Sequence, residues 1–439
     1  MPINKVNTLK IRTTITVILT GLFLLLSYAT SGSYFLSICD KQPFCTPTNL
    51  AALSFFVHRI LALVVMFWLV VNLHFVWKHY RTNHLLLNQA SILLILYVFQ
   101  VLIGLEMVMN SDSTDFRMLH KITSLTIILD LVYFAITSKK AFGQKMDYPE
   151  LNLRERFMDV IQLTKPIIVL LLLLTTLAGM FFGAKAVPES RTIILTLLGG
   201  ALAAGGSGAI NQFLDRDLDS EMQRTSKRPV PSGRIYPSEA LAIGISFCLV
   251  SIYLFLIYIN PISAALTLLG IIYYVYFYSI LLKKATVQNI VIGGGAGALP
   301  SVIGWTAVTG QISVQALLLF LIVFLWTPPH FWALAIVRKN DYAKVKIPML
   351  PVIMGETFTR RSIFNYSIIL VLSTLLLPLF QYTGTIFLAS SVLLGVGFIF
   401  LAWRVVKVEG NKVAWTLYKY SSYYLFFIFI ALIVDSLIA

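Results

Sequence analysis

Apolar runs of about twenty residues, each closed by a short polar stretch, recur from one end of this chain to the other. A run of that length crosses a hydrocarbon core of roughly 30 Å as one helix, which satisfies its own backbone hydrogen bonds in lipid. The pattern predicts spans at 13–30, 51–76, 88–108, 118–137, 164–185, 191–213, 238–258, 261–281, 287–308, 314–336, 363–383, 385–405 and 415–437. The expected fold class is an all-α polytopic membrane protein with about thirteen transmembrane helices. The longest polar interval, KKAFGQKMDYPELNLRERFMD, separates the fourth span from the fifth and marks a module boundary. It leaves a four-helix module at 1–140, a cytoplasmic linker at 141–162 and a nine-helix module at 163–439.

Composition changes this picture little: 58% of the 439 residues are hydrophobic and 12% charged. Charge adds orientation. The net +15 sits in alternate loops, at Lys5 to Arg12, Lys78 and Arg81, Lys139 to Arg156, Arg224 to Arg234, Lys283 and Lys284, Arg338 to Arg361, and Arg404 with Lys407. Positive loops stay in the cytoplasm, so the N-terminus is expected inside and the C-terminus outside a bacterial inner membrane. The same alternation argues against nucleic acid as the partner of the positive charge. No small-residue cleavage pattern follows the first apolar run, which is read as a retained span. Cys39 and Cys45 fall in the first outer loop, on the oxidising side, where a disulfide is chemically allowed and two free thiols are the alternative. Cys248, inside an apolar span, is read as packing.

Against this background Asn211, Asp215 and Asp219 stand out, four residues apart at the inner mouth of a span. Each step of four turns a helix by about 400°, so the three share one face. Two carboxylates on one face repel unless a cation offsets them. Amide and carboxylate oxygens suit magnesium, which completes its shell readily with phosphate. The basic run Arg224, Lys227, Arg228 and Arg234 follows at once to receive phosphate oxygens. These residues predict a diphosphate substrate at a membrane surface. Asp341, beside Arg338 and Lys339 at the inner end of another span, offers an acidic group across the bundle. Tyr278, Lys283 and Lys284 lie on the same side, and Gly293, Gly294 and Gly295 are read as helix packing and not a phosphate loop.

The first module carries two histidines at similar depth, His58 in the second span and His120 in the fourth. They could ligate a heme iron from opposite faces, or bond helix to helix. His74, His79 and His84 read as interfacial. His330, the histidine of the second module, is either a ligand or propionate partner for heme or a hydrogen-bonded helix-end residue.

NQFLDRDLD with RTSKRPVPSGR, LTKP at 163–166, YSILLKKATVQNIVIGGGAGALP, and PHFWALAI with DYAKVKIPMLP resemble the UbiA superfamily of intramembrane prenyltransferases over about 155–439. More narrowly they resemble its protoheme IX farnesyltransferase, or heme O synthase, branch. The resemblance implies a nine-helix UbiA-type bundle that moves the farnesyl group of farnesyl diphosphate to a vinyl group of heme B, for heme-copper oxidase biogenesis. It implies Mg2+ on Asn211, Asp215, Asp219 and Asp341, with Arg224, Lys227, Arg228 and Lys283 clamping diphosphate. The wider superfamily often has a second aspartate four residues after the position of Asp341; Val345 stands here, which favours the narrower branch. In the first module CDKQPFC, FFVHRILA, QVLIGLEMV and MLHKITSL resemble one four-helix half of heme A synthase over about 10–137, and imply heme on His58 and His120 with Arg59 near a propionate. That enzyme has two such halves, and Phe55 stands where it has a glutamate, so heme binding is expected of this module and oxidation of heme O is left open. Membrane lipid and heme A synthase or heme-copper oxidase assembly proteins are the partners implied. The alternatives are a prenyltransferase for a quinone precursor and a b-type heme electron carrier or transporter.

Overall fold

The computed structural model describes residues 2–30, 50–80, 83–109, 114–139 and 153–438, so Cys39 and Cys45 lie outside the described residues. All regular structure among those residues is helical. Twelve helices are long and apolar enough to cross a membrane, three before residue 153 and nine after it. The first predicted span corresponds to a shorter apolar stretch, Ile11–Ser27. The chain divides into two compact units, one of Met1–Pro149 with Tyr236–Ala242, the other of Glu150–Ile235 with Ile243–Ala439.

In the first unit α1 (Pro2–Thr30), α2 (Leu50–Tyr80), α3 (His84–Met109) and α4 (Thr114–Lys139) pack in sequence, and α1 closes the bundle against α4. Phe23, Val65, Leu93, Tyr97, Ile127 and Phe134 fill its interior. Polar groups run through the same interior: Thr16 Oγ1 accepts from Trp68 Nε1 at 2.9 Å and Asn72 Nδ2 at 3.3 Å. Such bonds hold helices together in lipid, where apolar contact alone does not distinguish helix from tail.

The second unit starts with α5 (Leu153–Leu163), a short amphipathic helix, then α6 (Pro166–Ala184), α7 (Ser190–Leu214) and α8 (Arg216–Glu221). Next come α9 (Pro237–Leu254), which belongs to this unit from Ile243 onward, α10 (Pro261–Ile272), α11 (Asn289–Thr309), α12 (Val314–Val337), α13 (Lys339–Lys344) and α14 (Leu350–Ile353). Three long helices, α15 (Glu356–Leu379), α16 (Thr385–Lys407) and α17 (Asn411–Ile438), complete it. The most enclosed helices are α11 and α12. α6 and α11 approach until backbones touch, because a Cβ on Gly179 would meet the Ser301 carbonyl and one on Gly304 the Thr176 carbonyl. Glycine at both positions permits the contact.

Two predicted spans differ from plain helices. α9 continues into a π-helical turn, Phe255–Ile259, and α10 into a longer one, Tyr273–Leu282. The wider turn is visible where Lys283 N donates to Tyr278 O, five residues back, at 2.9 Å. One extra residue per turn rotates everything beyond it, and such turns gather at functional sites.

Candidate functional site

α7 ends at Leu214 and Asp215 joins it to α8 with φ −92° and ψ 2°. The joint keeps helical spacing: Asp215 N donates to Asn211 O at 2.9 Å and Asp219 N to Asp215 O at 2.8 Å. Asn211, Asp215 and Asp219 therefore share one face, as their spacing predicts, and all three are buried.

Each of the three oxygen-bearing groups meets a cation of its own. Lys165 Nζ donates to Asn211 Oδ1 at 2.6 Å, Lys283 Nζ to Asp215 Oδ2 at 2.5 Å, and an Arg228 guanidinium NH to Asp219 Oδ2 at 2.7 Å. Asn211 Nδ2 donates to Asp215 Oδ2 at 2.7 Å and to Ser279 Oγ at 3.0 Å, which ties α7 to the π-helical turn after α10. Tyr274 and Tyr278 of that turn stack at 5.8 Å, and the Tyr274 hydroxyl accepts from Lys165 at 3.2 Å. Gly293 leaves room for this wall, since a Cβ there would strike the Tyr278 ring. Burial, then the nearby Arg228, pushes the Lys165 ammonium down to about 7, while Asp219 and Asp215 act the other way.

The basic loop after α8 divides its labour. Arg228 is on Asp219, while the Arg224 and Lys227 side chains are exposed. Arg234, the fourth member of the basic run, turns elsewhere: its Nε donates to Asp159 Oδ1 at 2.8 Å and its NH2 group to the Gln162 side chain at 3.2 Å and Lys227 O at 3.1 Å. It fastens the loop to α5 and is not a free phosphate ligand.

Across the mouth, α13 carries Asp341, whose Oδ2 is buried without a hydrogen-bond partner, 3.8 Å from an Arg338 guanidinium nitrogen. Met222, Ile290, Tyr342, Val345 and Ile347 pack together beneath it, and Lys344 Nζ donates to Glu221 O at 3.1 Å. Val345 is thus a core residue of the seam that holds α13 to the end of α8. Burial raises the Tyr342 phenol above its ordinary range, with the positive charge of Arg224 opposing the shift.

Among the described residues no three His, Cys, Asp or Glu side chains converge closely enough to hold a metal alone. The donor set that is present, one amide oxygen and two carboxylates on one face, with Asp341 Oδ2 on α13 accepting no hydrogen bond, fits magnesium when phosphate oxygens complete the shell. His330 is not part of this group. It is buried, with Nδ1 2.6 Å from Ser421 Oγ and its ring stacked on Trp326 at 4.3 Å.

In the first unit His120 Nε2 lies 2.7 Å from Ser27 Oγ and 3.0 Å from Gln100 Nε2, while its Nδ1 is buried without a partner. His58 stacks on Phe23 at 4.8 Å, and its Nδ1 is likewise buried and unpartnered. A cavity of about 700 Å³ opens between α1 and α4, lined by Ser27, His120, Lys121 and Ser124 at one end and by apolar residues such as Leu24, Ile128 and Val132 along its length.

Lys165, Ser279 and Tyr274 are the site residues that sequence reasoning missed. The signal for Lys165 was a lone cation between two helices, immediately before a proline.

A profile of the UbiA prenyltransferase family matches residues 172–431. A protein of Chloroflexus aurantiacus described as protoheme IX farnesyltransferase is 49% identical over 280 residues, 64% of this chain and 48% of that one. The chain therefore spans about half the length of that relative. A protoheme IX farnesyltransferase of Trichodesmium erythraeum is 47% identical over 289 residues, 65% of this chain and 88% of that one. Among solved structures, one concerned with digeranylgeranylglyceryl phosphate synthase aligns with a TM-score of 0.55 at 17% identity, covering 64% of this chain and 99% of that one, a likeness of fold.

Proposed function

The chain belongs to the UbiA prenyltransferase family, and we propose that it is a protoheme IX farnesyltransferase: a vinyl group of heme B bonds to the allylic carbon of farnesyl diphosphate as diphosphate leaves, and water adds to the resulting cation with loss of a proton to give heme O. The observation that carries the reading is the convergence of Asn211, Asp215 and Asp219 with Lys165, Lys283 and Arg228 at the end of an apolar helix bundle. Relatives named for that reaction, at 49% and 47% identity over the same part of the chain, supply the acceptor. Three cations against two carboxylates leave excess positive charge in a buried place, which favours a polyanion.

The residues act on the diphosphate end of the donor. Lys283 and Arg228, each now on a carboxylate, and the exposed Arg224 and Lys227 present ammonium and guanidinium donors to its oxygens. Asn211, Asp215, Asp219 and Asp341 would hold magnesium, which when bound would supply positive charge to the leaving diphosphate. Tyr274 and Tyr278 set aromatic faces beside the same point, suited to developing positive charge on the allylic carbon. The apolar bundle keeps water from that carbon until the vinyl group reaches it.

For the first unit we propose heme binding. His58 and His120 each keep an unpartnered ring nitrogen inside the bundle, and His120 lines one end of its apolar cavity, a setting that suits a flat, apolar macrocycle with an axial imidazole. The proposed setting is a bacterial inner membrane, with the N-terminus in the cytoplasm and the C-terminus outside.

Pigment analysis after expression in a host lacking heme O and heme A tests the acceptor. Heme O is expected, and its absence alongside a prenylated quinone precursor would move the chain to the other acceptor class. Loss of the reduced-minus-oxidised heme band in His58→Ala and His120→Ala proteins tests the first unit; an unchanged band removes the heme assignment.

A further inference from the structure

Lys165 occupies a backbone position that suits glycine better. α5 ends just before it, with Lys165 N donating to Gln162 O at 3.2 Å, and Pro166 opens α6 just after it. Between the two helices Lys165 has φ 57° and ψ 59°, in the left-handed region. Glycine is the usual residue in that conformation after a helix, because it has no Cβ to clash. Lys185 and Lys346 also adopt positive φ, so what sets Lys165 apart is where its side chain goes.

The surroundings admit that side chain and aim it. On α7 a Cβ at Gly205 would come within 3.0 Å of Thr164 Cβ, and one at Gly208 would lie 3.6 Å from Lys165 Cδ. Gly205 thus makes room for the Thr164 turn and Gly208 for the lysine stem, which reaches Asn211 Oδ1 and the Tyr274 hydroxyl. Both acceptors are neutral. Arg228 and Lys283 have Asp219 and Asp215 as ion-pair partners, whereas among the described residues no carboxylate lies within ion-pair distance of Lys165. Of the three cations it is the one with no direct ion pair, the two carboxylates acting on it only from a distance, and a partly buried cation so placed favours an anion that can pair with it.

Resting on the reading of this cluster as a diphosphate site, we propose that Lys165 is a diphosphate-binding residue parked on Asn211 and Tyr274 while the site is empty. When diphosphate arrives, the ammonium exchanges Asn211 Oδ1 for a phosphate oxygen. That exchange releases Asn211 Oδ1 as an acceptor for a cation, so one movement of Lys165 prepares both halves of the site. No bond other than hydrogen bonds is made or broken. Lys165 thereby couples the turn between α5 and α6 to occupancy of the site.

The test is calorimetric titration of the purified full chain with inorganic diphosphate in the presence of Mg2+, with no prenyl acceptor. Lys165→Gly relieves the left-handed backbone and removes only the side chain; Lys165→Met keeps the stem. Both are expected to bind at least ten-fold more weakly than wild type, Lys165→Arg within about three-fold of it, and Lys165→Gly to melt no lower. Wild-type affinity in Lys165→Gly or Lys165→Met overturns the proposal, and Lys165→Met carries the test if Lys165→Gly does not fold. A wild-type chain that binds no diphosphate would instead overturn the site reading itself. Because the titration contains no heme, the identity of the acceptor does not enter the result.

Discussion

Asp215→Asn is the sharpest perturbation of the aspartate face, because it keeps shape and one oxygen while removing a charge. Asp215 is 4% exposed and its Oδ2 lies 2.5 Å from Lys283 Nζ. At that separation and an effective dielectric of about 20, the attraction is about 7 kcal/mol before desolvation is counted. Removing one partner of a buried pair costs about 3–5 kcal/mol net, and the Lys283 side chain is 13% exposed, so water places the cost near about 3 kcal/mol. Stability should therefore fall measurably without loss of the fold. Turnover should fall by about 10²–10³-fold, the usual effect of deleting one charge-stabilising group from a preorganised site. Diphosphate binding without metal should move in the opposite direction and tighten, since Lys283 no longer has a carboxylate to satisfy. The assay pairs chromatographic measurement of farnesylated heme with titration of inorganic diphosphate in the presence of a chelator. Turnover within ten-fold of wild type, or weaker metal-free binding in a folded Asp215→Asn protein, would refute the reasoning.

Two further substitutions probe the frame around the site. Gly304→Ala would press a Cβ onto the Thr176 carbonyl and force α6 from α11, at a cost of about 1–3 kcal/mol in a thermal melt; an unshifted midpoint would show that the helices relax freely. Arg234→Ala leaves Asp159, which is 4% exposed, without its partner and loosens the loop bearing Arg224, Lys227 and Arg228. KM for farnesyl diphosphate should rise several-fold with a smaller change in kcat, and Arg234→Lys should recover part of it; an unchanged KM argues that the loop is held by other contacts.

The length and spacing of apolar runs were enough to read the helical spans, because a span is a local property: each buries its surface in lipid whatever its neighbours do. The face shared by Asn211, Asp215 and Asp219 was legible for the same reason, since helical periodicity relates residues only four apart. The motif order from LTKP to DYAKVKIPMLP was enough to point to the family. What the sequence could not show was which cation meets which oxygen. Lys165 reaches Asn211 from 46 residues away and Lys283 reaches Asp215 from 68, distances over which no periodicity operates. The basic run looked uniform, yet packing sent Arg228 to Asp219 and Arg234 to Asp159. The π-helical turn that brings Ser279 and Lys283 to the face was hidden too, because Tyr273–Leu282 reads as an ordinary apolar helix until its hydrogen bonds are seen. Local chemistry thus set the membrane spans and the acidic face, while long-range helix packing decided how that face is charged and what it is ready to hold.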